Sequence, residues 1–208
     1  MCIRDRHAAA RAQVGPRSFL ASEPSRSFKP ITVNVVALLP LTADFGVGLS
    51  PEDLDRLSSK MVREFELRTS LDVRNTADAE ELRFAVASEA SAQEPLRTRA
   101  AAIGRRLEVQ GVLYAQITRY IESDGSKLGA SNAGAAGFRL WLVDPRNAAV
   151  LWTATYDEQN EPLSDNLLKL PGALRHGVSF HSAEEILGRG FAAAAEALER
   201  LRQAPSAP

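Results

Sequence analysis

The polar segment 157–166 holds the densest group of side chains that could bind a partner or carry out acid–base chemistry. It follows a predicted strand carrying Trp152 and Tyr156, so hydrogen-bonding groups would stand beside aromatic anchors. We take as the candidate partner-binding site Trp152, Tyr156, Asp157, Glu158, Gln159, Asn160, Ser164 and Asn166. The alternative is structural: the segment closes the sheet, and Ser164 or Asp165 caps the next helical turn.

The two downstream histidines, His176 and His181, do not have the spacing typical of a metal site. Zinc-binding histidines on a helix usually lie four residues apart, whereas these are five apart and separated by Gly177. We interpret both as surface or loop histidines. Cys2 is the only cysteine, so an internal disulfide and cysteine–histidine catalysis are excluded, and we predict neither a metal nor a cofactor.

Gly46 and Gly48 lie between a predicted strand and a predicted helix, where a phosphate-binding loop would stand. The third glycine and the lysine of the known phosphate-binding patterns are missing. Glu52 and Asp53 open the following helix and would repel a phosphate from its positive end. We therefore interpret the segment as a turn. The sequence also lacks the Gly-x-Ser-x-Gly elbow of the α/β-hydrolases.

The charge of the chain is unevenly distributed. The net charge of the 208 residues is −1, yet residues 1–30 carry six basic and two acidic side chains, which leaves the remainder mildly acidic. A nucleic-acid-binding domain carries a basic face, so nucleic acid is excluded as a partner. No apolar run approaches the roughly 20 residues that a membrane-spanning helix needs.

The hydrophobic pattern predicts an α/β fold in which a mixed β-sheet carries helices packed on it. The predicted order is a βα start, an antiparallel meander and a C-terminal helix. The strands are predicted at 31–39, 71–74, 111–121, 136–143 and 149–156, and the helices at 51–67, around Leu82 to Val86, from Pro95, and from Ser182 to Leu201. In the last strand the alternation places Trp152, Ala154 and Tyr156 on one face.

The domain organisation follows from the same pattern. Residues 1–30 are rich in Ser, Pro, Arg and Ala and are predicted to form a disordered arm. Residues 1–7 match nothing downstream and resemble a translated sequencing-adapter scar. We expect a single α/β domain at 31–201 and a C-terminal tail at 202–208.

Three stretches resemble bacterial envelope lipoproteins. The stretch 35–41 (VVALLPL) is similar to their opening strand, and 104–113 (GRRLEVQGVL) is similar to their helix-to-strand junction. The stretches 150–159 (VLWTATYDEQ) and 162–168 (PLSDNLL) resemble a segment of uncharacterised proteobacterial lipoproteins. These proteins group broadly with the curli-secretion lipoprotein CsgG, the penicillin-binding-protein activator LpoB and the N-terminal domain of TolB.

This resemblance implies a non-enzymatic periplasmic domain tethered to the outer membrane by an N-terminal lipid. Such a domain would act as a binding or assembly module through an envelope protein partner, and self-assembly stays open. The chain shows no signal peptide and no lipobox, so membrane contact is expected only through an anchor that this chain does not carry. Two alternatives stand beside this prediction: a domain that binds a small ligand or glycan, and an enzyme with a carboxylate site near Asp157 and Glu158.

Overall fold

The computed structural model describes residues 20–25, 33–75, 95–122, 125–126, 129–130, 134–159 and 181–204. Within these residues, seven strands form one mixed sheet on which three helices pack. The strands of the sheet are β1 (Leu20–Pro24), β2 (Val35–Leu38), β3 (Thr42–Ala43), β4 (Asp72–Asn75), β5 (Gly111–Ile121), β8 (Ala135–Val143) and β9 (Val150–Gln159). A separate two-stranded pair is made by β6 (Gly125–Ser126) and β7 (Gly129–Ala130), and the helices are α1 (Pro51–Arg68), α2 (Leu96–Arg106) and α3 (Ala183–Gln203). The predicted fold class is confirmed.

The sheet combines a parallel half and an antiparallel half. Its strand order is β1-β9-β8-β5-β2-β4, and the short β3 lies beside β5. Strand β2 runs parallel to both β4 and β5, and α1 and α2 lie between these strands in the chain, as parallel pairing requires. Strands β5, β8 and β9 form the predicted antiparallel meander. The turn after β8 is held by the Asp144 carboxylate, which accepts a hydrogen bond from the Arg146 amide at 2.9 Å.

Two helices begin at capping boxes, in which a serine and an acidic residue three positions later bond to each other's amide groups. At α1, Ser50 Oγ accepts a hydrogen bond from the Asp53 amide at 3.1 Å, and the Asp53 carboxylate accepts from the Ser50 amide at 3.2 Å. The same reciprocal pair links Ser182 and Glu185 at the start of α3. These bonds satisfy amides that have no partner within the helix, and they fix where each helix begins.

The larger core lies between α1, α3 and one face of the sheet. Phe138 and Tyr156 stack with ring centroids 5.6 Å apart, and Phe191 of α3 lies 4.8 Å from Phe138. Gly190 makes this approach possible, because a Cβ atom there would lie 2.6 Å from a Tyr156 ring carbon and 2.7 Å from one of Phe138. Trp152 is fully buried in the same cluster.

The smaller core lies under α2 on the opposite face of the sheet. Ala100 and Ile103 of α2 pack against residues of β2 and β5, among them Ala37 and Val112. Gly104 allows close packing there, since a Cβ atom would lie 2.4 Å from Val112 Cγ2. On the far strands of this face, Arg139 and Thr155 are exposed. The two faces therefore offer different environments to the side chains of β8 and β9.

The N-terminal boundary of the ordered chain was predicted incorrectly. We expected residues 1–30 to be a disordered arm, but Leu20–Pro24 is the edge strand β1, antiparallel to β9, and the Ser25 amide donates to the Leu151 carbonyl at 2.7 Å. This strand is held by backbone hydrogen bonds to the edge of β9. Its sequence, LASEP, has one large apolar side chain, so it lacks the alternation of apolar and polar residues that predicts a strand.

Other predicted boundaries differ less. Helix α3 continues to Gln203, two residues into the predicted tail. The helix predicted around Leu82 to Val86 lies outside the described residues, as does the rest of the predicted N-terminal arm. Among the helices that the structure describes, none combines the length and the apolar character needed to cross a membrane.

We predict that Phe191→Ala lowers the free energy of unfolding by about 3–5 kcal/mol, the range for deleting a fully buried aromatic side chain. Leu67→Ala is the matched control, because Leu67 is 69% exposed and its loss should change stability by less than about 0.5 kcal/mol. Urea unfolding of the two variants measures both values. Equal losses would show that α3 is peripheral to the core.

We predict that β1 contributes to stability. A chain beginning at Ser27 lacks this strand and exposes the edge of β9, whereas a chain beginning at Ser18 keeps it. The shorter chain should unfold at a lower urea concentration and with a smaller m-value, because less surface is buried on folding. Coincident unfolding curves would show that β1 adds nothing measurable.

Candidate functional site

Strand β9 continues through three residues that the sequence analysis placed in a loop. Its pairing with β8 runs on through Asp157, Glu158 and Gln159, which lie opposite Gly137, Ala136 and Ala135 respectively. The alternation of buried and exposed side chains continues as well, although the residues have become polar. The prediction of a recognition loop beginning at Asp157 is therefore wrong for these three residues.

The predicted aromatic anchors belong to the core. Trp152 is 0% exposed and Tyr156 is 5% exposed. The sequence placed Trp152, Ala154 and Tyr156 on one face correctly, but that face is covered by α3. Neither ring can contact a partner at the surface, so their assignment to a binding site is wrong.

Glu158 is a buried carboxylate that joins β9 to α3. It is 9% exposed, and it accepts hydrogen bonds from the Tyr156 hydroxyl and, at 2.5 Å, from Arg189 Nη2. Burial and the bond to Glu158 raise the pKa of Tyr156 above its ordinary value. The carboxylate offsets its own desolvation with a cation and a hydroxyl donor, as a buried charge must. The structure thus gives Glu158 an architectural role.

Asp157 and Gln159 point to the opposite, open face of the sheet. Asp157 pairs with Arg119 of β5, and its side chain stays 61% exposed. Gln159 is exposed, as are Thr155 and Arg139 nearby. These four residues form what we call the open-face patch. The remaining predicted residues, Asn160, Ser164 and Asn166, lie outside the described residues.

A cavity under α2 was missed by the sequence analysis. Its volume is about 210 Å³, and its walls come from the segment after β2, the first turns of α2, and β5. The lining is mainly apolar, from Leu39, Pro40, Leu41, Leu96, Ile103 and Tyr114. Burial raises the pKa of the Tyr114 hydroxyl.

Arg99 brings a positive charge to this apolar cavity. Arg99 is among the residues that line the cavity, and its Nε atom is buried without a hydrogen-bond partner. The signal in the sequence was Leu96, Arg99 and Ile103 at spacings of three and four, which places an arginine within the apolar stripe of the helix. Such a site suits a group that has an aromatic or aliphatic body beside an anion.

The residues considered for metal and phosphate binding are engaged otherwise. Ser50 and Asp53 cap α1, so the first amide groups after Gly48 are already bonded. His181 Nδ1 lies 3.4 Å from Glu185 Oε2, and His176 is outside the described residues. Within the part of the chain that the structure describes, no cluster of three or more metal-binding side chains occurs.

The sequence was compared with models of protein families and with individual curated proteins, and neither comparison gives a match. No protein-family model matches the chain. No curated protein matches it significantly.

Comparison by structure shows the class of fold. PelC from Paraburkholderia phytofirmans, solved as a dodecamer, superposes with a TM-score of 0.54 and 14% sequence identity, over 86% of this chain and 96% of that chain. At this identity the likeness shows a shared fold alone.

Two further bacterial structures overlap less. The lipoprotein GNA1162 from Neisseria meningitidis has a TM-score of 0.43 and 21% identity, over 68% of this chain and 95% of that chain. The C-terminal domain of LpoB from Salmonella enterica has a TM-score of 0.39 and 17% identity, over 64% of this chain and 87% of that chain. At these TM-scores neither overlap carries an argument, and the particular group that the sequence resemblance named stays a prediction.

We predict that Glu158→Ala lowers the free energy of unfolding by about 1–3 kcal/mol, because the Tyr156 hydroxyl and Arg189 lose their acceptor. The neighbouring carboxylate gives the control. Asp157→Ala removes an exposed ion pair and should cost less than about 1 kcal/mol. Urea denaturation distinguishes them, and equal effects would contradict the structural role of Glu158.

Proposed function

We propose that this chain is the non-catalytic domain of a bacterial outer-membrane lipoprotein that faces the periplasm and acts through protein contacts, including contacts between its own copies. The observation that carries the proposal is the fold shared with PelC over 96% of that chain. PelC was solved as a dodecamer, which supports self-assembly here. The resemblance of 35–41, 104–113, 150–159 and 162–168 to envelope lipoproteins supports the compartment and the anchor.

The chemistry of the described residues supports a role in binding rather than catalysis. The buried carboxylates of Asp144 and Glu158 are each committed to an arginine, Arg146 in one case and Arg189 in the other. The Asp144 pair also lowers the pKa of that carboxyl group through its hydrogen bonds to Arg146. A general acid needs the opposite shift and an open approach to substrate.

The open-face patch is the surface we propose for a different protein partner. Arg139, Thr155, Asp157 and Gln159 are exposed side chains on neighbouring strands of a rigid sheet. Such a sheet presents donors and acceptors at fixed spacing, which favours specific recognition. A glycan-binding alternative based on Trp152 and Tyr156 is disfavoured, because both rings are buried under α3.

The compartment is tested on the native gene product. Cells expressing it are labelled with radioactive palmitate, and their envelopes are separated on a sucrose gradient. We expect to find the labelled protein in the outer-membrane fraction. We also expect added protease to digest it only when the periplasm is made accessible. An unlabelled protein recovered from the cytoplasm would refute the lipoprotein proposal and leave the fold assignment intact.

The partner surface is tested by site-specific photo-cross-linking in intact cells. A photoreactive residue at Thr155 should give one discrete adduct, because this position lies within the open-face patch. The matched control is Glu66, an exposed residue of α1 on the other side of the sheet. Adducts of equal yield and size at both positions, or none at Thr155, would place the partner surface elsewhere.

A further inference from the structure

The turn that follows β3 carries a fully exposed aromatic side chain. Asp44 and Val47 close the turn through a backbone hydrogen bond of 3.1 Å, and Gly46 takes a φ of 92°. Phe45 stands at its tip with its whole ring in solvent. Aromatic side chains that fill pockets on a partner act as interface anchors, and a ring held at the tip of a turn is placed to do so.

The turn is rigidly attached to the domain. The Asp44 amide donates to the Ile117 carbonyl of β5 at 2.8 Å, and Val47 and Leu49 pack against the larger core. The position of Phe45 is therefore fixed before binding, so little conformational entropy would be lost when its ring is buried.

The cavity under α2 has the features that such an anchor requires. Its volume of about 210 Å³ exceeds the roughly 150 Å³ of an engineered apolar cavity that binds benzene, so it has room for a phenyl ring. Its lining is apolar apart from a few polar groups, and Arg99 brings a guanidinium whose Nε atom has no partner. An aromatic ring next to a carboxylate would occupy the apolar cavity and also provide a hydrogen-bond acceptor for Arg99.

We propose that Phe45 of one copy of this chain inserts into the α2 cavity of a second copy, with Asp44 pairing with Arg99. The match lies in both shape and charge. Phe45 supplies the ring, and the adjacent Asp44 supplies an acceptor for Arg99, whose Nε atom is buried without a hydrogen-bond partner. This interface rests on the self-assembly proposed above and names the residues that make it.

The surrounding charges favour the same pairing. Glu52 follows the turn at the start of α1 and makes its neighbourhood acidic, whereas α2 carries arginines and no acidic residue. Arg97 is the second residue of α2 and is exposed, close in sequence to the cavity residues Leu96 and Arg99. Complementary potentials of this kind steer association and fix its register. An anionic lipid surface would be repelled by the acidic side of this contact.

The assembly state of the full chain is measured by sedimentation velocity across a range of concentrations. The wild-type chain should self-associate, and Phe45→Ala should raise the dissociation constant by about tenfold or more, as loss of an interface anchor does. Leu67→Ala is the matched control, because Leu67 is an exposed apolar residue of α1 distant in sequence from the turn. It should leave the dissociation constant unchanged.

The charge pairing is tested by a swap. Asp44→Arg and Arg99→Asp should each weaken association, and the double variant should recover at least part of it. Thermal melts establish that each variant is folded. If the single variants weaken association and the double variant recovers nothing, the Asp44–Arg99 pair is excluded.

A cross-link shows whether the contact joins two copies. In a Cys2→Ser background, one copy keeps Phe45 and carries Gly48→Cys three residues later, and a differently tagged copy carries Leu96→Cys in the cavity lining. Mixing them should give a disulfide-linked pair containing both tags, and pairing Leu67→Cys with Leu96→Cys should not.

The outcomes separate the two proposals. An assembling wild type that is indifferent to Phe45→Ala overturns the interface and leaves the self-assembly standing. A chain that stays monomeric at all concentrations overturns both. If such a monomer takes up phenylacetate, the cavity is a site for a small aromatic anion instead.

Discussion

The packing of α3 across one face of the sheet is the constraint on which the rest of the structure depends. Phe191 meets Phe138, and Phe138 stacks on Tyr156, at a point where Gly190 leaves no room for a side chain. Burial of aromatic rings is the largest favourable contribution per residue to such a core. Because these rings come from three separate elements, their contact fixes the helix relative to the meander.

The same packing determines what the polar end of β9 does. Glu158 follows Tyr156 by two residues, so it points to the helix side and must be compensated there. Arg189 of α3 provides the cation, and the Tyr156 hydroxyl provides a second donor. The sequence of this segment predicts a surface loop, but the segment is part of the link between helix and sheet. The polar side chains that stay exposed, Asp157 and Gln159, lie on the opposite face of the sheet.

Recognition surfaces therefore lie where the packing is incomplete. The helix α2 covers β2 and the start of β5, and it leaves both the open-face patch and a cavity beside Arg99. Phe45 is exposed and lies three residues after Thr42 of β3, which lines the cavity. The proposed assembly depends on one exposed side chain and one pocket, both held by this packing.

The sequence by itself determined the fold class, the start of each capped helix and the apolar stripe of α3, because periodicity and capping are local properties of the chain. It could not show that Leu20–Pro24 is an edge strand, since that pairing depends on backbone bonds to β9, far away in sequence. It grouped Trp152 with Tyr156 correctly, yet only the tertiary structure decided that this face is the buried one. The cavity at Arg99 exists only once α2 lies on the sheet, because three distant segments build it.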